Sequence, residues 1–271
     1  MVIAAVDLRE AHQARDAIVL GARLAGAYDD ELRAVTVCET AAQASSRAAA
    51  VIDLLADVGA TGSVEVLIGG SPARLLHDLG DREGPKVLVI GSGSRGPGGR
   101  AQLGNVTEAL LHGGAVPVAI APHGYATVSH VLSTIGVAFA GTPESWVALD
   151  RAAELAAAVR ARLEIVTARE PGEPPEAGER RLDDARARVS ADAVGGTVLD
   201  GPPAGALAAA RGLSLLVVGS RSYGPLRAVL LGAVTRELIP VAVCPVMIVP
   251  RLPPPTQEVV LPGGMEAPPA S

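Results

Sequence analysis

Two glycine-framed segments hold the residue types and spacing best suited to chemistry. The first runs Gly91-Ser92-Gly93-Ser94-Arg95-Gly96-Pro97-Gly98-Gly99 and reaches Gly104-Asn105-Val106-Thr107, where the pattern predicts a helix over Glu108 to His112. The second opens on Gly219-Ser220-Arg221-Ser222 and reaches Gly232-Ala233-Val234-Thr235. Each follows an apolar run, Val87 to Ile90 or Leu215 to Val218, that reads as a buried strand. Glycine at a strand end lets backbone N–H groups approach phosphate oxygens, and a helix N-terminus adds unpaired donors and partial positive charge. The chemistry implied is nucleotide binding. Neither segment carries the lysine of a P-loop, and neither stands after a first strand as the dinucleotide fingerprint requires. Gly91 and Gly219 equally suit a tight strand-to-loop turn, and Arg95, Arg100, Arg221 and Arg227 equally suit a solvated loop.

Other chemistries find little support. His12, His77, His112, His123 and His130 form no i, i+4 pair with one another, so neither a metal site nor a triad is expected. Cys38 and Cys244 lie in apolar runs and read as small buried hydrophobes. The formal net charge of -6, with Lys and Arg scattered, leaves no broad basic surface for nucleic acid or anionic lipid. No apolar stretch is long enough to span a membrane, and the chain opens on the strand-like Val2-Ile3-Ala4-Ala5-Val6 without a basic leader; a cytoplasmic protein is expected.

The elements that position these segments come in two sets. Gly91 pairs with Gly219, Gly104 with Gly232, Thr107 with Thr235 and Pro122 with Pro250, at a constant spacing of 128 residues. With small length changes, Leu32 to Val37 matches Leu163 to Ala168, and Val2 to Asp7 matches Ile135 to Ala140. The expected organisation is a unit at 1–122, a connector at 123–132, a second unit at 133–250 and a proline-rich disordered tail at 251–271. Within a unit, short strand-like runs (Val35 to Val37, Val87 to Ile90, Val116 to Ile120) alternate with Ala-rich helical segments such as Ala14, Ala17, Ile18, Gly21, Leu24 and Ala25. That alternation predicts a parallel sheet covered on both faces, with ligands at the carboxyl ends of its strands. Aromatics make up only 2% of the chain, so Ala, Val, Leu and Ile must build the core. The mixed-sign run Glu179 to Arg188 reads as a solvated helix face.

The ladder Val217-Val218-Gly219-Ser220, the return at Gly232 and the close Val243-Cys244-Pro245-Val246-Met247-Ile248-Val249-Pro250 resemble the universal stress protein family, and the likeness covers both units. The resemblance implies an α/β fold of two tandem flavodoxin-like (adenine nucleotide α-hydrolase-like) units, each a five-stranded parallel sheet flanked by helices. It implies pairing of units through the last strand and, in one branch, binding of ATP with Mg²⁺ through G-x-x-G-x9-G-S/T. Carried onto this chain, the nucleotide-binding set is Asp7, Val37, Gly91, Ser94, Gly104, Asn105 and Val106 in unit 1, with Gly219, Ser222, Gly232, Ala233 and Val234 in unit 2. Ser94 and Ser222 stand where the family has its middle glycine; if that position requires positive φ, a side chain costs about 1 kcal/mol. Asn105 and Ala233 replace the hydroxyl, and Asn105 alone keeps a side chain able to cap the helix. Asp7 occupies the acidic place after the first strand, where unit 2 has Ala140; Val37 and Ala168 occupy the place beside the base.

The function expected from the resemblance is a non-catalytic, nucleotide-responsive stress regulator, with unit 1 the stronger site, an intramolecular pairing of units, an unidentified protein partner, and homodimerisation of whole chains left open. The alternative is a family member that binds no nucleotide and acts through dimerisation and partner binding. An ATP α-hydrolase would call for an S-G-G-x-D-S-type loop after the first strand, which neither Asp7-Leu8-Arg9 nor Ala140-Gly141-Thr142 supplies.

Overall fold

The computed structural model describes residues 1–93, 104–111, 114–127, 131–189, 194–223, 228–230 and 232–251. Unit 1 runs β1 (Val2–Ala5), α1 (Ala11–Ala27), β2 (Leu32–Cys38), α2 (Ala44–Asp57), β3 (Ser63–Ile68), α3 (Pro72–Glu83), β4 (Val87–Gly91), α4 (Asn105–Leu111) and β5 (Val118–Ala121). Unit 2 repeats the order: β6 (Thr134–Ala138), α5 (Pro143–Val159), β7 (Arg162–Arg169), α6 (Pro175–Arg188), β8 (Val194–Asp200), α7 (Pro203–Ala209), β9 (Leu215–Tyr223), a short β10 (Ala228–Leu230), α8 (Ala233–Leu238) and β11 (Val246–Pro250). The helices α3, α5, α6 and α7 each begin at a proline, whose fixed φ suits the first turn and whose missing N–H costs nothing there. Pro117 moves the start of β5 two residues past the expected Val116, because proline has no N–H to give the ladder; its carbonyl still accepts from Leu88 N at 2.9 Å.

The strands form one sheet in the order β3-β2-β1-β4-β5-β11-β9-β6-β7-β8, with β10 paired antiparallel to β9 off that path. Within each unit the five main strands are parallel and the register recurs: Leu88 faces Val118 in unit 1, and Leu216 faces Val246 in unit 2. The two units meet through β5 and β11, which pair antiparallel over Val118–Ile248, Ala119–Met247 and Ile120–Val246. Because β5 and β11 run in opposite directions, the carboxyl ends of the two parallel sets lie at opposite ends of the sheet.

The β-branched runs are buried on both faces, as a sheet covered by helices requires. One face packs Ile18, Leu20 and Leu24 of α1 and Leu149, Ala152 and Leu155 of α5 over Val89, Ala119, Val217 and Met247. The other packs Leu76 and Leu79 of α3, Leu110 of α4 and Leu238 of α8 over Leu88, Ile120, Leu216 and Ile248. Each apolar layer is therefore continuous across both units.

The 123–132 connector is docked where it is described. Its Tyr125–Thr127 segment forms a 3₁₀ turn, and the buried Asp16 carboxylate on α1 accepts from the backbone N–H of Gly124 (2.9 Å) and Ala126 (2.7 Å). Residues 252–271 of the expected tail lie outside the described residues.

Gly91 and Gly219 have a packing reason for lacking a side chain. Neither has positive φ. A Cβ on Gly91 would lie 2.8 Å from Gln13 Cα and closer still to the Gln13 carbonyl oxygen of α1; a Cβ on Gly219 would collide with the Glu144 backbone of α5 in the same way. The helix after the first strand crosses the end of the fourth strand backbone to backbone. Gly91→Ala and Gly219→Ala should each destabilise the chain by about 1–3 kcal/mol through overpacking, read as a fall in the urea midpoint; unchanged midpoints would remove the close approach as the reason for glycine.

Candidate functional site

A cleft of about 600 Å³ opens at the carboxyl ends of β1, β2 and β4 in unit 1. It sits at the switch point of the 3-2-1-4-5 strand order, where β1 is followed across the sheet by β4 and the crossover helices leave in opposite directions. Asp7 follows β1, Thr36, Val37 and Cys38 close β2, Gly91 closes β4, and Gly104, Asn105 and Val106 begin α4; all of them line the cleft. Six of the seven expected unit 1 residues are thus brought together, and the seventh, Ser94, lies outside the described residues, as do Arg95 and Arg100.

The polar groups are unevenly spread. The Asp7 carboxylate accepts from Arg9 three times: from the backbone N–H (3.0 Å), from Nε (2.9 Å) and from Nη2 (2.7 Å). This fork, aided by the Arg47 charge, holds the Asp7 carboxyl below the usual carboxylate range against the opposing effect of burial. Arg47 on α2 and Gln43 just before it also line the cleft, one helical turn apart. Arg9, Gln43 and Arg47 escaped the sequence reading; the signal was their spacing, two residues after Asp7 for Arg9 and i, i+4 for the other two.

Gly104 differs from Gly91. It has no positive φ, and among the described residues the nearest atom to an added Cβ, Thr107 Oγ1, is 4.0 Å away, so their packing does not require glycine there. Gly104, Asn105 and Val106 set the start of α4 at the edge of the cleft.

Unit 2 places its residues differently. Gly232 is the N-cap of α8, has φ of -61°, and has, among the described residues, nothing within 4 Å of an added Cβ. Ala233 and Val234 follow as the first helical residues. The expected loop after Gly219 is instead a continuation of β9: Ser222 pairs with Val229 of β10, because the chain folds back as a hairpin. Arg227 lies outside the described residues. Ala140 is exposed at the place of Asp7.

At the end of β7 the mixed-charge helix α6 keeps the expected solvated face at Glu179, Arg180, Asp183, Asp184, Arg186 and Arg188, and departs from it at one residue. Arg181, with a side chain only 20% exposed, turns in over the strand end. Its Nε donates to Thr167 Oγ1 (3.1 Å) and its Nη2 to the Ala168 carbonyl (2.8 Å). The same guanidinium grips Glu173 in a fork, Nη1 to Oε1 at 2.8 Å and Nη2 to Oε2 at 2.9 Å.

With this geometry in view, comparison with known proteins is decisive on kinship. Residues 1–122 and 132–250 each match the model of the universal stress protein family. The chain belongs to the universal stress protein family. Universal stress proteins of Mycobacterium tuberculosis and Mycobacterium bovis are 27% identical over 197 residues, covering 65% of this chain and 68% of theirs. The crystal structure of a universal stress protein from Archaeoglobus fulgidus superposes with a TM-score of 0.68 at 19% identity, covering 92% of this chain and 98% of that one. A functionally unknown Pseudomonas aeruginosa protein superposes at 0.63 with 15% identity, covering 92% of each chain. The solved structures show the shared tandem fold. No described helix is long and apolar enough to cross a membrane.

Cys38 is buried and Cys244 partly so, and burial pushes the Cys244 thiol up to about 11. For Glu173, the Arg181 fork brings the carboxyl down to about 2 from its usual 4.5. Because the folded value is the lower one, the pair's contribution to stability is present above pH 4.5 and fades as pH falls toward 2. Wild type and Glu173→Gln should therefore differ in urea midpoint at pH 6 and converge near pH 2; a gap independent of pH would mean that the fork adds nothing in solution.

Proposed function

We propose that unit 1 binds an adenine nucleotide, ATP foremost, and that the protein is a non-catalytic stress-response regulator whose cytoplasmic role depends on that binding. The functional units are residues 1–122 and 133–250, joined by 123–132. The observation that carries the reading is Gly104: a glycine that packing among the described residues does not demand, at the start of a helix, lining a cleft of about 600 Å³. A phosphate chain approaching that backbone supplies the missing reason for glycine. Asn105 beside it can donate to phosphate, Val37 offers an apolar contact for the base, and Asp7 stands at the ribose end. Among the described residues no group of three or more His, Cys, Asp or Glu is arranged to hold a metal, so Mg²⁺ would enter as the counter-ion of the phosphates.

One feature favours the second reading, partner binding without nucleotide: Asp7 is already satisfied by Arg9, and a ribose hydroxyl must share or displace that fork.

Thermal melts with ATP, ADP and AMP, with and without Mg²⁺, separate the two. Nucleotide at one hundred times its Kd stabilises the folded state by about 2.7 kcal/mol, so Tm should rise, and the rise should vanish in Gly104→Val. Among the described residues nothing lies closer than 4.0 Å to the added Cβ, and the variant should fold. If no nucleotide raises Tm at millimolar concentration, the second reading replaces the first.

A further inference from the structure

The register that aligns the units also matches the strand ends bordering the unit 1 cleft with their counterparts in unit 2. Val6 N donates to Val35 O in unit 1, and Phe139 N donates to Val166 O in unit 2, which places Thr36 with Thr167 and Val37 with Ala168. In unit 1, Thr36 and Val37 are walls of the open cleft. In unit 2 the matching pair is covered from within the chain: the Arg181 guanidinium donates to the Thr167 hydroxyl and the Ala168 carbonyl, and its Cγ lies 4.0 Å from where a Cβ on Gly141 would stand. Gly141 follows Ala140, the counterpart of Asp7, so the Arg181 side chain bridges the two strand ends between which a base and sugar would lie.

We infer that Arg181, anchored by Glu173, is an internal plug that closes the base-binding end of unit 2, so that the chain takes one nucleotide and not two. The inference rests on the nucleotide reading of unit 1. Four hydrogen bonds fix the guanidinium, two to the strand end and two to Glu173, which itself accepts from Glu170 N at 2.8 Å. A planar fork held at both edges is pre-organised and loses little further freedom on staying put. At the matching helix start in unit 2, Gly232 meets, among the described residues, nothing within 4 Å of an added Cβ, much as Gly104 does. The two ends of the unit 2 cleft have thus diverged separately, with the phosphate-end glycine retained and the base end filled by a side chain that unit 1 lacks, since Ala50 stands at the α2 position matching Arg181.

The test is photolabelling of the full chain with 8-azido-ATP, followed by peptide mapping, for wild type, Arg181→Ala and Glu173→Ala. In wild type the label should fall on unit 1 peptides. In Arg181→Ala, and to a lesser extent in Glu173→Ala, unit 2 peptides around Thr167 should also be labelled, and the label per chain should approximately double. Should Arg181→Ala fail to fold, as judged by its melt, Glu173→Ala carries the comparison. Unit 2 labelling in wild type, or none in the folded variants, overturns the plug. Unit 2 labelling gained in the variants with unit 1 unlabelled throughout would keep the plug and reject nucleotide binding by unit 1.

Discussion

Three residue pairs, Val118–Ile248, Ala119–Met247 and Ile120–Val246, hold the molecule in its present form. Without the β5–β11 ladder each unit would end in an unpaired, fully apolar edge strand, the kind of edge that invites pairing with another chain. Duplication within one polypeptide supplies the partner at high effective concentration and covers both edges at once. The same ladder makes the apolar layers continuous, since Ala119 and Met247 are both wholly buried in one cluster that includes α1 and α5. It also sets the functional geometry, because antiparallel joining sends the two strand-end clefts to opposite ends of the sheet. Whatever occupies one cleft does not touch the other directly.

The constraints on the two units are of different kinds. Those that build the sheet have been kept in both: the strand register, and a glycine in the fourth strand where the helix after the first strand crosses it. Those that shape the cleft have been kept at one end and lost at the other. Gly104 and Gly232 still stand at a helix start with no described atom closer than 4.0 Å to an added Cβ. Asp7 has become Ala140, the loop after Gly219 has become a hairpin strand, and Arg181 has moved onto the end of β7. Unit 1 departs in its own way, through the Arg9 fork on Asp7, which adds positive charge near the place of the ribose.

Much of the fold was legible in the sequence because its signals are local or repeated. Apolar runs between Ala-rich segments mark strands and helices, and the constant spacing of the glycines marks the duplication. The cleft was legible in part: Asp7, Val37, Gly91, Gly104, Asn105 and Val106 do converge. The reason for Gly91 was not, since it depends on the Gln13 carbonyl, which reaches it only through the crossing of α1 over the sheet. Nor was the role of Arg181, because a run of alternating charges describes a solvated helix equally well until a strand end offers Thr167 and Ala168 as acceptors. Asp16 was hidden likewise; a single carboxylate in an apolar helical stripe gives no hint that two connector N–H groups will find it.

The proposed occupancy, one nucleotide per chain, rests on the contrast between the open cleft of unit 1 and the Arg181 contacts at the matching strand end of unit 2. Its most direct measurement is an isothermal titration of the full chain with ATP, read for stoichiometry. One site per chain, lost in Gly104→Val and kept in Gly232→Val, is the expected result. Two sites per chain, or one that survives Gly104→Val and disappears in Gly232→Val, would contradict it.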